Sequence, residues 1–346
     1  MSDGWFNRCH FGDVRAVLRQ MIEDGVQVNT IVTSPPYWGL RSYLPEVHAD
    51  KALEIGLEPT LPEFIAALVD VFDLCRQVLH DDGTAWVNMG DSYANDGKWG
   101  GASGGKHPKA LHGNTGIGRR KVSTGLKPKD LIGQPWLLAF ALQDAGWYLR
   151  QDIIWHKPNP MPESTRDRCT KSHEYIFLLS KSQQYWFDQE AILEPVSENT
   201  HARLSQNVAA QVGSTRAHAG GKTNGNMKAV GRKLADAGSG TKNNTSMDEA
   251  LAVMPTKRNR RSVWTVASEP YSGAHFATFP TKLIEPCILA GAPAGGVVLD
   301  PFFGSGTTGQ VAQALGRQWI GIELNPAYKA LQDARLAQMG LTLEVA

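Results

Sequence analysis

Cysteine is scarce in this chain, and what there is lies scattered. Cys9, Cys75, Cys169 and Cys287 form no Cys-x-x-Cys pair, which argues against a zinc site or a disulfide framework and fits a reducing compartment. Long apolar runs are missing as well. No stretch approaches the ~20 residues needed to cross a bilayer, and Met1-Ser2-Asp3-Gly4-Trp5 has no basic head followed by an apolar segment. We therefore expect no metal, no membrane partner and a cytoplasmic protein. Net charge is nearly absent too. At +1 over 346 residues it carries no global sign of a polyanionic partner, so any basic footprint has to be local.

What is present first stands out at Thr33-Ser34-Pro35-Pro36-Tyr37-Trp38. The preceding run Val28-Asn29-Thr30-Ile31-Val32 is β-branched and short, as in a buried strand. Each proline sets its own φ, pushes the residue before it towards extended geometry and offers no N–H. The carbonyls of Ser34 and Pro35 are left as acceptors on a stiff tip, beside a hydroxyl and the face of Tyr37. That kit suits a flat group bearing an NH2. A Pro-rich turn capping a strand is the plainer reading, and the motif alone does not separate the two.

The rest of the N-terminal half alternates strand and helix. Trp5–Phe11 reads as a strand, Val14–Ile22 as a helix, Leu61–Leu79 as a second helix and Thr84–Met89 as another strand. Asp13 is placed to cap the first helix, with a cofactor role as its second reading. This order favours a parallel sheet covered on both faces. Leu131–Leu142 continues as a helix and Trp147–Trp155 as a strand; Glu174–Leu179 and Gln184–Phe187 read as a hairpin, supplying an antiparallel edge.

Two stretches break this texture. Residues 94–129 are glycine-dense and hold eight Lys/Arg, Arg119, Arg120 and Lys121 among them, against the single acid Asp96. Residues 198–261 hold eleven Lys/Arg, ending in Lys257, Arg258, Arg260 and Arg261, against four acids. On a near-neutral protein such local excess is the footprint of phosphate neutralisation. A solvated linker is the alternative reading of the second block.

The chain then turns globular. Thr281–Ala290 is helical, and Val297–Asp300 is a strand entering Pro301-Phe302-Phe303-Gly304-Ser305-Gly306-Thr307-Thr308-Gly309. Gln310–Leu315 continues as a helix, Trp319–Glu323 is a strand and Ala327–Leu336 a last helix. Gly304-x-Gly306-x-x-Gly309 matches the dinucleotide fingerprint, with Glu323 placed to accept from ribose hydroxyls. A nicotinamide-dependent oxidoreductase is the obvious alternative, and two features oppose it. Asp300 directly before the turn would repel a pyrophosphate but attract a cation, and about forty residues after Gly309 cannot complete a second half-domain. A cationic adenosine, S-adenosylmethionine, fits better.

Together these motifs resemble the β-group amino-methylating DNA methyltransferases, which modify adenine N6 or cytosine N4. Ser34-Pro35-Pro36-Tyr37 matches the catalytic motif, Asp300–Thr307 the cofactor motif and Glu323 the ribose acid. His275-Phe276-Ala277-Thr278-Phe279-Pro280 resembles the additional cofactor motif; Trp155-His156-Lys157-Pro158-Asn159 and Ser172-His173-Glu174-Tyr175 resemble the middle motifs. The resemblance spans most of the chain outside the two basic blocks. It implies a seven-stranded Rossmann-like α/β methyltransferase sheet with one antiparallel strand and a circularly permuted motif order. Residues 1–197 would form the catalytic half, with basic loop 94–129. Residues 198–261 would be a target-recognition insertion and 262–346 the cofactor half.

The same resemblance implies catalytic Ser34, Pro35, Pro36 and Tyr37. It implies a cofactor set of Asp13, His275, Phe276, Phe279, Pro280, Asp300, Phe302, Gly304, Ser305, Gly306, Thr307, Glu323 and Asn325. DNA contacts fall to Trp38, Arg41, Lys157, Arg119, Arg120, Lys121, Arg258, Arg260 and Arg261. The expected partner is double-stranded DNA, which would bring the protein to the nucleoid. Self-association as a homodimer and either a cognate restriction endonuclease or an orphan role accompany it. Serine at the first motif position accompanies cytosine more often in this family but occurs in adenine enzymes, so the base stays open. A cytosine-C5 mechanism needs a loop cysteine, and Pro286-Cys287 falls inside a helix. A nucleic-acid-binding protein with a vestigial pocket is the remaining alternative; intact acidic and glycine positions oppose it.

Overall fold

The computed structural model describes residues 4–39, 42–94, 125–196, 256–269 and 279–337. The chain divides into two compact units, Met1–Ile192 with Arg261–Ala346, and Leu193–Arg260. In the larger unit the strands are β1 (Arg8–Phe11), β2 (Val28–Thr33), β3 (Leu79–Met89), β4 (Tyr148–His156) and β5 (His173–Ser180). The smaller unit contributes β6 (Glu194–Pro195) and β7 (Lys257–Arg258), an antiparallel pair braced by an Arg258–Glu194 ion pair. Back in the larger unit come β8 (Val263–Thr265), β9 (Val297–Asp300) and β10 (Gln318–Glu323).

One sheet of order β1-β10-β9-β2-β3-β5-β4-β8 forms the larger unit. Among its strands only β5 runs against its neighbours, pairing antiparallel with β3 and β4. This is the expected mixed sheet, except that its antiparallel strand lies between β3 and β4 and not at an edge, and the three-residue β8 widens it to eight strands. The N-terminal β1 pairs with β10, joining the two ends of the chain.

Helices α1 (Val14–Glu23), α2 (Leu61–Val78) and α3 (Gln134–Asp144) cover one face. On the other lie α4 (Thr281–Gly291) and α5 (Thr307–Ala314). Period-two alternation sends Ile31, Ala85, Val87 and Leu299 into the first core, and Val32, Trp86 and Val298 into the second. Buried on both faces, these strands read as continuous apolar runs. Asp13 caps α1, its side chain accepting from Ala16 N–H at 3.1 Å. A full capping box between Thr60 and Glu63, with Pro62 in the first turn, starts α2. The last helix among the described residues, α6 (Lys329–Ala337), follows a 3₁₀ turn at Pro326–Tyr328.

Three expectations change. The hairpin is absent: β3 and β4 occupy both edges of β5, so Gln184–Phe187 has no free edge to pair with. Instead Trp186 N–H donates to Asp82 O at 2.8 Å and Phe187 stacks on Trp86. Strand β1 starts at Arg8, not Trp5. Helix α5 starts at Thr307, three residues early, because left-handed Gly306 (φ 88°) closes the turn immediately before it.

Candidate active site

Strands β2 and β9 lie side by side, yet their connections leave in opposite directions, to β3 and to β10. That is a topological switch point, where parallel sheets open a crevice at their carboxyl ends. Residues 34–37 and 300–305 therefore meet, and both line one cavity of about 900 Å³. Its size suits a sizeable ligand with a second group beside it.

Asp300 joins the two loops. Buried to 2% exposure, it accepts from Thr33 Oγ1 (2.6 Å), Phe302 N–H (3.1 Å) and Thr308 Oγ1 (2.6 Å). Burial raises its pKa to about 6, against the pull of those donors. Glu323, also on the cavity wall, accepts from Gly304 N–H (2.8 Å) and Asn325 N–H (2.8 Å). Burial pushes it up to about 7, with the charge of Asp300 adding to the rise.

The cavity also takes in Asp13, Phe279, Phe302, Gly304, Ser305 and Thr307. Ser305 Oγ is buried and makes no hydrogen bond. Gly306, Pro280 and Asn325 stand behind the wall and not in it. Gly306 provides the left-handed N-cap of α5, and Pro280 the N-cap of α4. Asn325 braces Glu323 and donates from Nδ2 to Tyr43 O at 2.8 Å.

One fingerprint glycine, Gly309, together with Gly321 outside the fingerprint, is small for a reason the sequence does not show. A Cβ on Gly309 would come 2.7 Å from the Phe303 ring, and one on Gly321 would come 2.4 Å from it. The ring stacks on Trp319 with centroids 5.0 Å apart. These two glycines make a slot for Phe303 rather than a ledge for a phosphate.

Among the expected DNA contacts, Trp38 is a correction. It is 1% exposed, with Nε1 donating to Glu58 O (2.9 Å) and its N–H to Gln134 Oε1 (3.2 Å). An indole held inside the core cannot meet a duplex. Lys157 lies on the cavity wall, over the Trp155 ring and paired with Glu174. Arg258 is paired with Glu194, Arg260 is half-buried and Arg261 exposed. Arg41, Arg119, Arg120, Lys121, His275 and Phe276 lie outside the described residues.

Sequence reasoning missed Asn88, Tyr43 and Ile55 on the cavity wall, and gave Glu174 no task. Asn88 had a signal: a polar residue closing the apolar strand Thr84–Met89. Tyr43 and Ile55 had none. Their loop is organised by Glu54, whose buried carboxylate accepts from the backbone of Tyr43 and Leu44 and pairs with Lys51.

The DNA methylase family model of N6 and N4 enzymes matches residues 28–333. The chain belongs to that family. It is 43% identical over 325 residues to the Type II methyltransferase M.Cfr9I of Citrobacter freundii, covering 94% of this chain and 86% of that one. It is equally 43% identical over 326 residues to M.SmaI of Serratia marcescens, covering 94% and 89%. Two solved structures share the fold. The PvuII DNA methyltransferase (cytosine-N4-specific) superposes with a TM-score of 0.54 at 17% identity, covering 94% and 85% of the two chains. A DNA modification methylase from Thermus thermophilus, complexed with S-adenosyl-L-methionine, gives 0.52 at 21% identity, covering 96% and 93%.

This DNA methylase takes S-adenosylmethionine as its methyl donor. The residues fit that donor: buried carboxylates suit a sulfonium and ribose hydroxyls, and orphaned Ser305 Oγ offers a polar contact. No helix among the described residues is long and apolar enough to cross a membrane, and none of their side chains cluster as a metal site.

Proposed function

We propose that this DNA methylase modifies an exocyclic amine, adenine N6 or cytosine N4, on a base extruded from duplex DNA into the 900 Å³ cavity. The observation that carries the reading is the single cavity shared by Ser34-Pro35-Pro36-Tyr37 and the Asp300–Ser305 turn. When bound, S-adenosylmethionine supplies an electrophilic methyl group. Ser34 Oγ and the Pro35 carbonyl accept the two amino hydrogens and orient the nitrogen lone pair. Tyr37 stacks on the base, which is out of reach inside a duplex. Positioning and electrostatics supply the acceleration, without a covalent enzyme intermediate. Cys75 and Cys287 are fully buried, so neither serves as a C5-type nucleophile.

Adenine N6 and cytosine N4 present the same two hydrogens, so this acceptor set does not choose between them. Sequencing that resolves modified bases, on DNA from cells expressing the protein, is expected to find one short site and to name the base. Unmodified DNA would sink the reading. Eleven Lys/Arg against four acids over 198–261 support a target-recognition role for that insertion. The Type II naming of the relatives supports a restriction endonuclease as partner.

Tyr37→Ala is expected to weaken base stacking by about 1–3 kcal/mol. Methyl transfer on duplex DNA should fall while S-adenosylmethionine affinity holds; unchanged turnover removes the stacking role.

Glu323 makes cofactor affinity pH-dependent. A ribose hydroxyl donates better to a carboxylate than to an acid, and Glu323 ionises only as pH passes about 7. Calorimetry from roughly pH 6 to 8 should show affinity rising with pH, and Glu323→Gln should flatten the curve. Stability runs the other way. A folded-state pKa raised to about 7 contributes stability fully present below about 4.5 and lost as pH rises through 7.

A further inference from the structure

Glu174, the second residue of β5, is 137 residues from Tyr37 in sequence, yet its carboxylate gathers the base end of the cavity. Oε2 accepts from the Tyr37 hydroxyl at 3.2 Å and from Asn88 Nδ2 at 3.3 Å; Oε1 pairs with Lys157. All four residues line the cavity. The neighbouring strand end is cut back to make room. A Cβ on Gly90 would come 3.1 Å from both Glu174 Cδ and Tyr37 Cε2.

We propose that Glu174 is a positioning residue for the transfer reaction, locking the Tyr37 ring at the angle an extruded base needs. The inference rests on the stacking role given to Tyr37 above and adds what holds that ring in place. A tyrosine at a loop tip has two free χ angles, and a hydroxyl anchored to a carboxylate on a different strand removes that freedom. Lys157 balances the carboxylate, so the anchor adds no net charge beside a cationic donor. Burial and the Glu174 charge raise the Tyr37 pKa, keeping the phenol protonated and therefore a donor. Asn88 gives its second amide hydrogen to Tyr175 O at 3.0 Å, which fixes the carboxylate from the β3 side.

The test is a double-mutant cycle on the full chain, with Glu174→Ala, Tyr37→Phe and the pair. Single-turnover transfer from labelled S-adenosylmethionine is measured at saturating cofactor, on a duplex carrying the mapped site. Glu174→Ala is expected to lower the rate about ten- to a hundred-fold by misplacing the ring. Tyr37→Phe, which keeps the ring but loses the anchor, should cost a similar factor. The double variant should be no slower than the slower single variant, because both changes cut one contact. Cofactor affinity should stay at the wild-type value. Should Glu174→Ala not fold, Glu174→Gln, which keeps an acceptor and a similar shape, should hold most of the rate while Tyr37→Phe loses it; equal rates for those two variants would overturn the inference. So would a wild-type rate in Glu174→Ala, or losses that multiply in the double variant. A wild-type protein that methylates no base overturns the reading beneath it, and this inference with it.

Discussion

Replacing Asp300 with alanine is expected to abolish measurable methyl transfer and to lower the denaturation midpoint substantially. The carboxylate is the shared acceptor of Thr33 Oγ1, Phe302 N–H and Thr308 Oγ1, all inside the protein. Each buried donor left without an acceptor costs about 1–3 kcal/mol. Thr308 Oγ1 keeps the Val32 carbonyl as an alternative at 3.4 Å, and the two donors left without one still cost a sizeable part of the 5–15 kcal/mol that typically holds a domain folded. Function suffers for a more local reason. Thr33 directly precedes Ser34, so its bond to Asp300 registers the Ser34–Tyr37 tip, proposed above as catalytic, against the Asp300–Ser305 turn. Asp300→Asn separates the two effects. It keeps the shape and removes a charge that burial disfavours, as the rise of the folded pKa to about 6 indicates. Urea denaturation should place Asn well above Ala, with cofactor binding weakened in both. An alanine variant of wild-type midpoint and activity would refute the shared-acceptor account.

Gly321→Ala is expected to be nearly as damaging, from a position with no polar chemistry. The added Cβ would sit 2.4–2.7 Å from three atoms of the Phe303 ring. That ring cannot retreat, being stacked on Trp319 at 10° on one side and backed by Gly309 on another. Overpacking of this kind costs about 1–3 kcal/mol. It also moves Phe303, whose neighbour Gly304 gives its N–H to Glu323, so cofactor affinity should fall with stability. Phe303→Leu placed in the Gly321→Ala background should recover part of the stability by emptying the slot. A Gly321→Ala protein that unfolds at the wild-type denaturant concentration would show that the ring has room after all.

This slot explains why Gly304-x-Gly306-x-x-Gly309 reads as a dinucleotide fingerprint without being used as one. Gly304 and Gly306 have left-handed backbones (φ 52° and 88°), as a tight turn requires. Gly309 needs to be small for a different reason, the Phe303 ring above it. Spacing alone cannot separate the two demands, since both select glycine. The acid at 300 and the roughly forty residues left after Gly309 are what point away from a nicotinamide enzyme.

From the chain alone one could read most strands of the sheet, though not β8 and with one too many at Gln184–Phe187, and which cofactor the glycine turn suits. Those properties are local: β-branched runs, prolines and glycines act on their own backbone and nearest neighbours, whatever the rest of the chain does. Only the tertiary structure decided the fate of individual side chains. It put Trp38 in the core, paired Lys157 with Glu174 and brought that carboxylate to the hydroxyl of Tyr37. Exposure, charge balance and contact depend on which strands lie side by side. In a sheet of order β1-β10-β9-β2-β3-β5-β4-β8, two of those pairings, β1 with β10 and β9 with β2, join opposite ends of the sequence.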